Sequence, residues 1–323
     1  MIPRRLTNPL DWRFRAVTTR LDALAGRAES ADTRAGELGE RLTELAGTLA
    51  QIYARLEHVG EVVERVETAL EQRVQPVLRA IVAEESANRR RLHGLRADPA
   101  YEQAYTEPDP LVSVTVATLG RERPLLERAL PSLLAQTHTN LEVLVVGDAA
   151  PPELEHAIAA LGDPRVSYAN LSQRITAHPE PRRHWLVGST MARNEAARQA
   201  RGRWLLHFDD DDHLRPTAVS CLLELAREQR AEVAYGGFQE QHPDGARFTG
   251  IGFPPRLGCF SWAGALTHAG LGFFERELVG AHLELPGDMY MLERMLRAGV
   301  RFALLDDVVL DYFPSTLWEP ATS

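Results

Sequence analysis

Apolar residues recur at alternating steps of three and four along the first part of this 323-residue chain. The positions are Phe14, Val17, Leu21, Leu24, Ala28, Ala31, Ala35, Leu38, Leu42, Leu45, Leu49, Ile52, Leu56, Val59, Val63, Val66 and Leu70. A period of 3.5 residues is typical of a left-handed coiled coil, whereas a single helix packed on a globular domain drifts off it. We therefore predict an unbroken helix from Phe14 to Leu70 that makes the protein a homo-oligomer.

The pattern also predicts where the other segments begin and end. Pro76 lacks an amide donor and should break the helix, so the predicted coiled-coil region spans residues 14–96 with a break near Pro76. Residues 97–110 contain three prolines and are predicted to be a linker. Residues 1–13 mix arginines with Leu6, Leu10 and Trp12. This tail is either disordered, docked on a partner chain, or in peripheral contact with an anionic membrane.

From residue 111 the pattern changes to short apolar runs that alternate with amphipathic segments. The predicted strands are residues 111–117, 141–146, 165–168 and 204–208, and the predicted helices are residues 125–136, 152–161, 191–200, 218–229 and 289–298. A strand, a crossover helix and a second strand form a βαβ unit, which implies parallel pairing. We therefore predict an α/β domain over residues 111–318, with a mostly parallel sheet flanked by helices and a crevice at the carboxyl ends of the strands.

Four carboxylates follow the predicted strand Trp204–Phe208 directly, at Asp209, Asp210, Asp211 and Asp212. Acids this close repel one another, and a hard divalent cation with oxygen ligands, Mg²⁺ or Mn²⁺, would offset their charge. The alternatives are an acidic surface turn or a helix-capping cluster before Pro216.

Composition narrows the classes of partner. The chain carries 36 basic and 45 acidic residues, for a net charge of −9, which argues against nucleic acid because phosphates need clustered basic residues. Two cysteines, Cys221 and Cys259, indicate no disulfide framework, and the sequence contains no pattern of a membrane span or a secretory signal. The expected location is the cytoplasm, possibly peripheral to the inner face of the membrane.

The loop after the first strand lacks the glycine spacing of a dinucleotide fingerprint or a P-loop, since it reads Gly120-Arg-Glu-Arg-Pro124. A bound diphosphate would therefore have to be held by a metal ion and by arginine side chains. Arg121, Arg182 and Arg183 are the candidates for this role, and each is otherwise a solvated arginine.

Four segments resemble motifs of one known family. They are VSVTVATLGR at residues 112–121, LLAQTHTNLEVLVVGD at 133–148, GSTMARN at 188–194 and GDMYMLERMLRAG at 287–299, and Asp209 to Asp211 are similar to an Asp-Xaa-Asp motif. Together they resemble a family 2 glycosyltransferase of the GT-A fold. The resemblance implies inverting, metal-dependent transfer of a sugar from a nucleotide-diphosphate donor, with a UDP-sugar favoured, to a glycan or lipid-linked hydroxyl acceptor.

The same resemblance assigns roles to individual residues. Asp288 would be the general base and Asp211 the metal ligand for Mn²⁺ or Mg²⁺. The donor-binding positions would be Thr118, Arg121, Asp148, Asp209 and Asp210. For Asp288 the alternative role is a helix cap, and Trp262 and His268 could either line an acceptor site or pack in the core.

Two other functions compete with this one. The coil could be the functional part of a scaffold whose sheet domain binds a nucleotide sugar without catalysis. A sugar-phosphate nucleotidyltransferase would share the sheet topology, but it needs a glycine-rich loop followed by arginine and lysine, and the sequence contains no lysine.

Overall fold

The computed structural model describes residues 9–28, 32–174 and 186–314. The chain divides into two compact units, Met1–Ala83 and Glu84–Ser323. Three expectations lie outside the described residues: the first eight residues of the tail, the phosphate-contact candidates Arg182 and Arg183, and the predicted domain end at residue 318. In the described part, no helix is both long enough and apolar enough to span a bilayer.

The first unit contains a helical hairpin instead of the predicted unbroken helix. Helix α1 spans Pro9–Ala28 and helix α2 spans Asp32–Ala69. The ring of Phe14 stacks on that of Tyr53, with centroids 5.1 Å apart, so α1 folds back along α2. The prediction of one helix from Phe14 to Leu70 is therefore wrong. In the sequence, alanine fills every seam position between Leu24 and Leu38, and alanine contributes little apolar surface to a coiled-coil seam.

Proline 76 does not break the helix. A π-helical turn, Leu70–Val74, follows α2 and leads into helix α3, Gln75–Ala97. The amide of Gln75 donates to the carbonyl of Leu70, five residues back. This wider turn directly precedes the proline, whose ring would clash with a carbonyl in a regular α-helix. The long helical segment that was predicted is confirmed, and the break is replaced by a π turn.

The segment predicted as a linker, residues 97–110, contains helix α4, Pro99–Thr106. Asp98 caps this helix, because its side chain accepts a hydrogen bond from the amide of Ala100. Tyr101 and Tyr105 lie on one face and are buried in the second unit. The spacing Tyr101, Ala104, Tyr105 is that of an amphipathic helix, so the segment is part of the domain and not a linker.

Nine strands in the described part form one sheet in the order β3-β2-β1-β4-β8-β6-β9-β5, with β7 beside β6. The strands are β1 Val112–Thr118, β2 Leu141–Gly147, β3 Val166–Asn170, β4 Trp204–Asp209, β5 His213–Leu214, β6 Val233–Gln241, β7 Arg247–Gly250, β8 Ala265–His268 and β9 Phe302–Tyr312. Pairing is parallel among β1 to β4 and between β6 and β9, and antiparallel in the other pairs. The predicted α/β class is confirmed, and the parallel half is the part that the sequence pattern predicted.

Helices cover the sheet. They are α5, in which Glu122–Pro124 and Leu130–Leu134 flank a π-helical turn at Leu125–Ala129, then α6 Glu153–Ala159, α7 Thr190–Gln199, α8 Ala218–Gln229 and α9 Gly287–Ala298. The interior of β4 is fully buried at Trp204, Leu206 and Phe208. The Trp204 indole donates to the carbonyl of Ala104 at 3.0 Å, which fixes α4 to this central strand.

Strand register brings three polar strand ends together. Thr118 of β1 lies opposite Gly147 of β2, and Ala117 of β1 lies opposite Asp209 of β4. Because these strands are parallel, their carboxyl ends share one edge of the sheet, where ligands of α/β proteins bind.

Candidate active site

The ends of β1 and β4 are joined by a side-chain hydrogen bond. The Thr118 hydroxyl donates to the Asp210 carboxylate at 2.6 Å and accepts from the amide of Gly120 at 3.1 Å. Thr118 and Asp210 are both buried. The sequence placed both residues in the donor site, and the structure brings them together. Because the only proton of the Thr118 hydroxyl is used in this bond, the main role of Thr118 is to orient the carboxylate of Asp210.

Arg121 lies across two of the aspartates. Its guanidinium forms ion pairs with the carboxylates of Asp210 and Asp211, and its Nε is 3.4 Å from Asp210 Oδ2. Burial alone would lower the pKa of Arg121, but the two carboxylates raise it above its usual value. The predicted donor residue is therefore in the site, where it neutralises the residue predicted to bind metal.

Asp211 has the environment of a cation ligand. Burial raises the pKa of Asp211 to about 6, and the charges of Asp209 and Asp210 add to this, although Arg121 opposes it. A carboxyl with a raised pKa gains from a nearby cation, because the cation offsets the repulsion from its neighbours.

Asp212 has a different role from its three predecessors. It is fully buried, and burial raises its pKa well above the usual value, with the charges of Asp209 and Asp211 adding to the effect. Its Oδ1 accepts from the amide of Phe313 at 3.0 Å, which ties the end of β9 to the strand-end loop. The described contact of the Asp212 side chain is therefore with the backbone after β9.

Asp209 is paired with Arg193 of α7, with 2.5 Å between Oδ1 and Nη2. Burial would raise the pKa of Asp209, but Arg193 holds it below the usual range. Sequence reasoning did not assign Arg193. The signal was present, since Arg193 lies inside the family-like segment GSTMARN that precedes β4.

Asp148 lies at the end of β2 and is fully buried. Arg174 lies against it, since its Nε is 3.7 Å from the carboxylate and donates to the backbone carbonyl of Asp148 at 3.2 Å. The amide of Asp148 donates to the carbonyl of Thr118 at 2.8 Å. The residue is thus at the predicted strand end, and its carboxylate is closed off from solvent.

A cavity of about 380 Å³ opens beside this cluster, and Asp209 and Asp288 both line it. Asp288 lies in the first turn of α9, where the helix dipole favours an anion. Its Oδ1 accepts from the amide of Met289 at 2.7 Å. The cap position itself is Pro286, so the alternative of Asp288 as the cap residue is wrong.

Aromatic and imidazole groups complete the cavity. Trp262 lines it, and its indole donates to the carbonyl of Asp288 at 3.0 Å. His207 also lines it, with Nδ1 2.9 Å from the Thr115 hydroxyl. Burial lowers the pKa of His207 well below its usual value, with Arg276 and Arg193 adding to this, so the imidazole is neutral.

His268 belongs to the core and not to the cavity. Its ring packs between Tyr101 and Trp204, and its Nε2 is 3.2 Å from the carbonyl of Tyr101. Of the two acceptor-site candidates, Trp262 lines the cavity and His268 packs in the core against α4.

Within the residues that the structure describes, no group of three His, Cys, Asp or Glu side chains has the geometry of a metal site. The donor set nevertheless suits a hard cation, because the side chains of Asp209 and Asp211 offer carboxylate oxygens on one strand end. Arginine occupies the positions a cation would take, since Arg121 contacts Asp211 and Arg193 contacts Asp209.

A family model described as Glycosyl transferase family 2 matches residues 113–253, a range that holds β1 to β7 and the four consecutive aspartates. Residues 113–253, less than half of the chain, are therefore similar to glycosyltransferase family 2. Asp288 and α9 lie after the matched range, so the placement of Asp288 in the cavity rests on the structure alone.

Two curated proteins that are similar to part of this chain are named for the synthesis of bacterial glycans. The succinoglycan biosynthesis protein ExoO of Rhizobium meliloti is 34% identical over 136 residues, 42% of this chain and 35% of that protein. The GalNAc(5)-diNAcBac-PP-undecaprenol beta-1,3-glucosyltransferase of Campylobacter jejuni is 31% identical over 126 residues, 38% of this chain and 37% of that protein. The chain spans less than two fifths of the length of each.

Solved structures include a similar chain. The Staphylococcus aureus protein TarS, residues 1–349 in complex with UDP, superimposes with a TM-score of 0.49 and 19% identity, covering 63% of this chain and 60% of that one.

Proposed function

We propose that the protein transfers a sugar from a nucleotide-diphosphate donor to a hydroxyl acceptor with inversion, in the synthesis of a polysaccharide or glycoconjugate. The observation that carries the proposal is the position of Asp209. It ends β4 within the strand-end cluster and also lines the cavity that contains Asp288. A donor bound along the strand ends would therefore extend its sugar toward a carboxylate that has no arginine within ion-pairing distance in the described part of the chain.

The chain's own groups then divide the chemistry. Asp288 would take the proton of the acceptor hydroxyl as its oxygen attacks the anomeric carbon, and a single displacement of this kind inverts the configuration. Asp288 lies in the first turn of α9, where the partial positive charge of the helix N-terminus attracts an anion. Trp262 holds the first turn of α9 in place through the carbonyl of Asp288.

The strand-end cluster would bind the donor. Asp148 would accept from the base, and Asp209 and Asp210 would contact ribose and sugar. A Mg²⁺ or Mn²⁺ ion held by Asp211 would neutralise the charge of the departing diphosphate. Arg121 would then leave Asp211 and contact phosphate oxygens, which a planar guanidinium binds with two parallel hydrogen bonds.

The identity of the partners is proposed from the chemistry of relatives. A relative named for succinoglycan biosynthesis and one named for an undecaprenol-linked acceptor support a growing glycan or lipid-linked sugar as acceptor. A UDP-sugar is the favoured donor. Both cysteines are free thiols, which supports a site of action in the cytoplasm or at the inner face of the membrane.

Calorimetric titration of UDP, GDP and dTDP, with and without Mn²⁺, tests the donor site. We expect one nucleotide to bind only with the metal, and we expect Asp211→Asn to reduce its affinity at least about tenfold by removing a charged ligand. Asp307→Asn is the matched control, since Asp307 is exposed on β9 and does not line the cavity.

Two other results would count against this function. If a folded sample binds none of the three nucleotides, the coiled-coil scaffold becomes the better account, because the contacts of Arg121 and Arg193 with the aspartates then describe a closed, inactive cluster. Equal binding with and without Mn²⁺ would contradict the proposed metal dependence but would leave the proposed nucleotide site in place.

A further inference from the structure

Arg276 is a buried guanidinium at the wall of the cavity. Its side chain is only 5% exposed, and it precedes α9 in the chain. Its Nε is buried and has no hydrogen-bond partner in the part of the chain that the structure describes. Asn194 fixes the backbone at this point, because its amide donates to the carbonyl of Arg276 at 2.9 Å and its oxygen accepts from the amide of Arg276 at 3.0 Å.

Among the described residues, no carboxylate lies within ion-pairing distance of Arg276. Burial and, to a smaller extent, the charge of Arg193 lower the pKa of Arg276 to about 10, against the attraction of Asp288 and Asp209. Asp209 is already paired with Arg193 at 2.5 Å. A buried guanidinium with an unsatisfied donor costs free energy that an anionic ligand recovers.

We propose that Arg276 is an anion-binding residue that receives an oxyanion of the substrate, a carboxylate or a phosphate, inside this cavity. The proposal rests on the proposed function, since it takes the cavity to hold substrate. The fork of a guanidinium matches both groups with two parallel hydrogen bonds. The anion would lie toward Arg276 and away from the carboxylates of Asp288 and Glu240, so a neutral hydroxyl would face Asp288.

Two sources can supply this oxyanion. One is the terminal phosphate of the nucleotide diphosphate, which would make Arg276 a leaving-group contact. The other is an acid group on a sugar of the donor or acceptor, as in a uronic acid, which would make Arg276 a determinant of specificity for acidic sugars.

The test compares two pairs of probes on the full-length protein, by calorimetry and by fluorescence of Trp262, which lines the cavity. Glucuronate and glucose differ at C6, where glucuronate carries a carboxylate. UDP and UMP, both titrated with Mn²⁺, differ by the terminal phosphate. For the wild type we expect about tenfold tighter binding of glucuronate than of glucose, of UDP than of UMP, or both, and for Arg276→Met we expect that preference to vanish.

Matched variants keep the result specific. Arg123→Met removes an arginine whose side chain is 85% exposed, and it should leave both preferences unchanged. Arg276→Lys keeps the charge without the fork and should retain only part of the preference, so it serves if Arg276→Met fails to fold.

Each outcome has a separate meaning. A lost glucuronate preference assigns the acid group of a sugar, and a lost UDP preference assigns the terminal phosphate. If the wild type binds UDP and a folded Arg276→Met keeps both preferences, the role of Arg276 is wrong and the proposed function stands. If UDP does not bind but glucuronate binds through Arg276, the proposed donor fails and the anion site stands. A wild type that shows no preference in either pair overturns the inference.

Discussion

Asp288 can be tested at the scale of a single atom, because Asp288→Asn replaces one carboxylate oxygen by nitrogen and keeps the volume of the cavity. An amide cannot accept the proton of an attacking hydroxyl, so we expect the turnover number to fall about 10²–10⁴-fold. Nucleotide affinity should change by less than about threefold, since Asp288 lies on α9 and not at the strand ends. Release of nucleoside diphosphate from the donor measures both quantities.

Asp307 offers a control with the same local hydrogen bond. Its Oδ1 accepts from the amide of Val308 at 2.7 Å, as Asp288 accepts from Met289, but Asp307 is exposed on β9. Asp307→Asn should leave turnover unchanged. Equal losses in the two variants would show that the hydrogen bond to the following amide matters, and would remove Asp288 from the role of base.

Glu232 connects three elements of the domain. Both of its oxygens accept from Arg96 of α3, at 2.7 and 2.8 Å, and it also accepts from the hydroxyl of Tyr101 of α4 and the amide of Arg301. Removal of one partner from a buried pair leaves the other uncompensated. We expect Glu232→Gln to lower the free energy of unfolding by about 2 kcal/mol, below the range for a fully buried pair because Arg96 is 33% exposed.

The same residue gives a pH dependence with a defined sign. Burial would raise the pKa of Glu232, but the hydrogen bonds from Arg96 and Arg301 hold it below its ordinary value of 4.5. The stability it contributes is therefore full above pH 4.5 and is lost as the pH falls through its lowered pKa. Urea unfolding at pH 7 and pH 4 should show a smaller loss in Glu232→Gln than in the wild type.

Glu275→Gln removes one partner of an exposed ion pair and is the control for Glu232→Gln. Glu275 contacts Arg198 at 2.8 Å with both side chains more than two fifths exposed, so its loss should cost less than about 1 kcal/mol. A similar cost for both variants would mean that Glu232 does not fasten α3 and α4 to the sheet.

The elements show how far the sequence could be read. The alternation of apolar runs and amphipathic segments predicted β1 to β4 and their helices, because burial on both faces imposes continuous apolar strands. It missed α4, since three prolines outweighed the spacing of Tyr101, Ala104 and Tyr105. A local pattern also carries no information on which distant side chains meet.

The candidate site divides in the same way. Residues that follow a strand directly, such as Asp148 and Asp209, could be placed from the pattern, because strand ends are fixed by the sheet. The arginines could not be placed with them. Arg193 is 16 residues from its partner Asp209. Arg276 lies in the segment between β8 and α9, and a hydrogen bond from Asn194 to its backbone carbonyl fixes it there. Such pairings depend on tertiary packing, which has no period in the sequence.

Across the whole molecule, the apolar seam of α2 remains exposed where the hairpin does not cover it. Leu56, Val59, Val63 and Val66 are each about half exposed and follow the predicted 3.5-residue period. Burying the exposed half of each such side chain gains about 1 kcal/mol, so we propose that this seam packs against a second copy of the chain. The predicted homo-oligomer would therefore form along α2.

The pair of substitutions Leu56→Glu and Val63→Glu places two charges on that seam. Burying them without partners is unfavourable, so we expect the dissociation constant of the oligomer to rise more than about tenfold, measured by sedimentation velocity. Ala54→Glu with Val62→Glu adds the same charges on the same helix off the seam and should leave the mass unchanged. A wild type that sediments as a monomer at micromolar concentration, or equal effects of both pairs, would leave the seam without a role in assembly, because an interface there must be sensitive to position and not to charge alone.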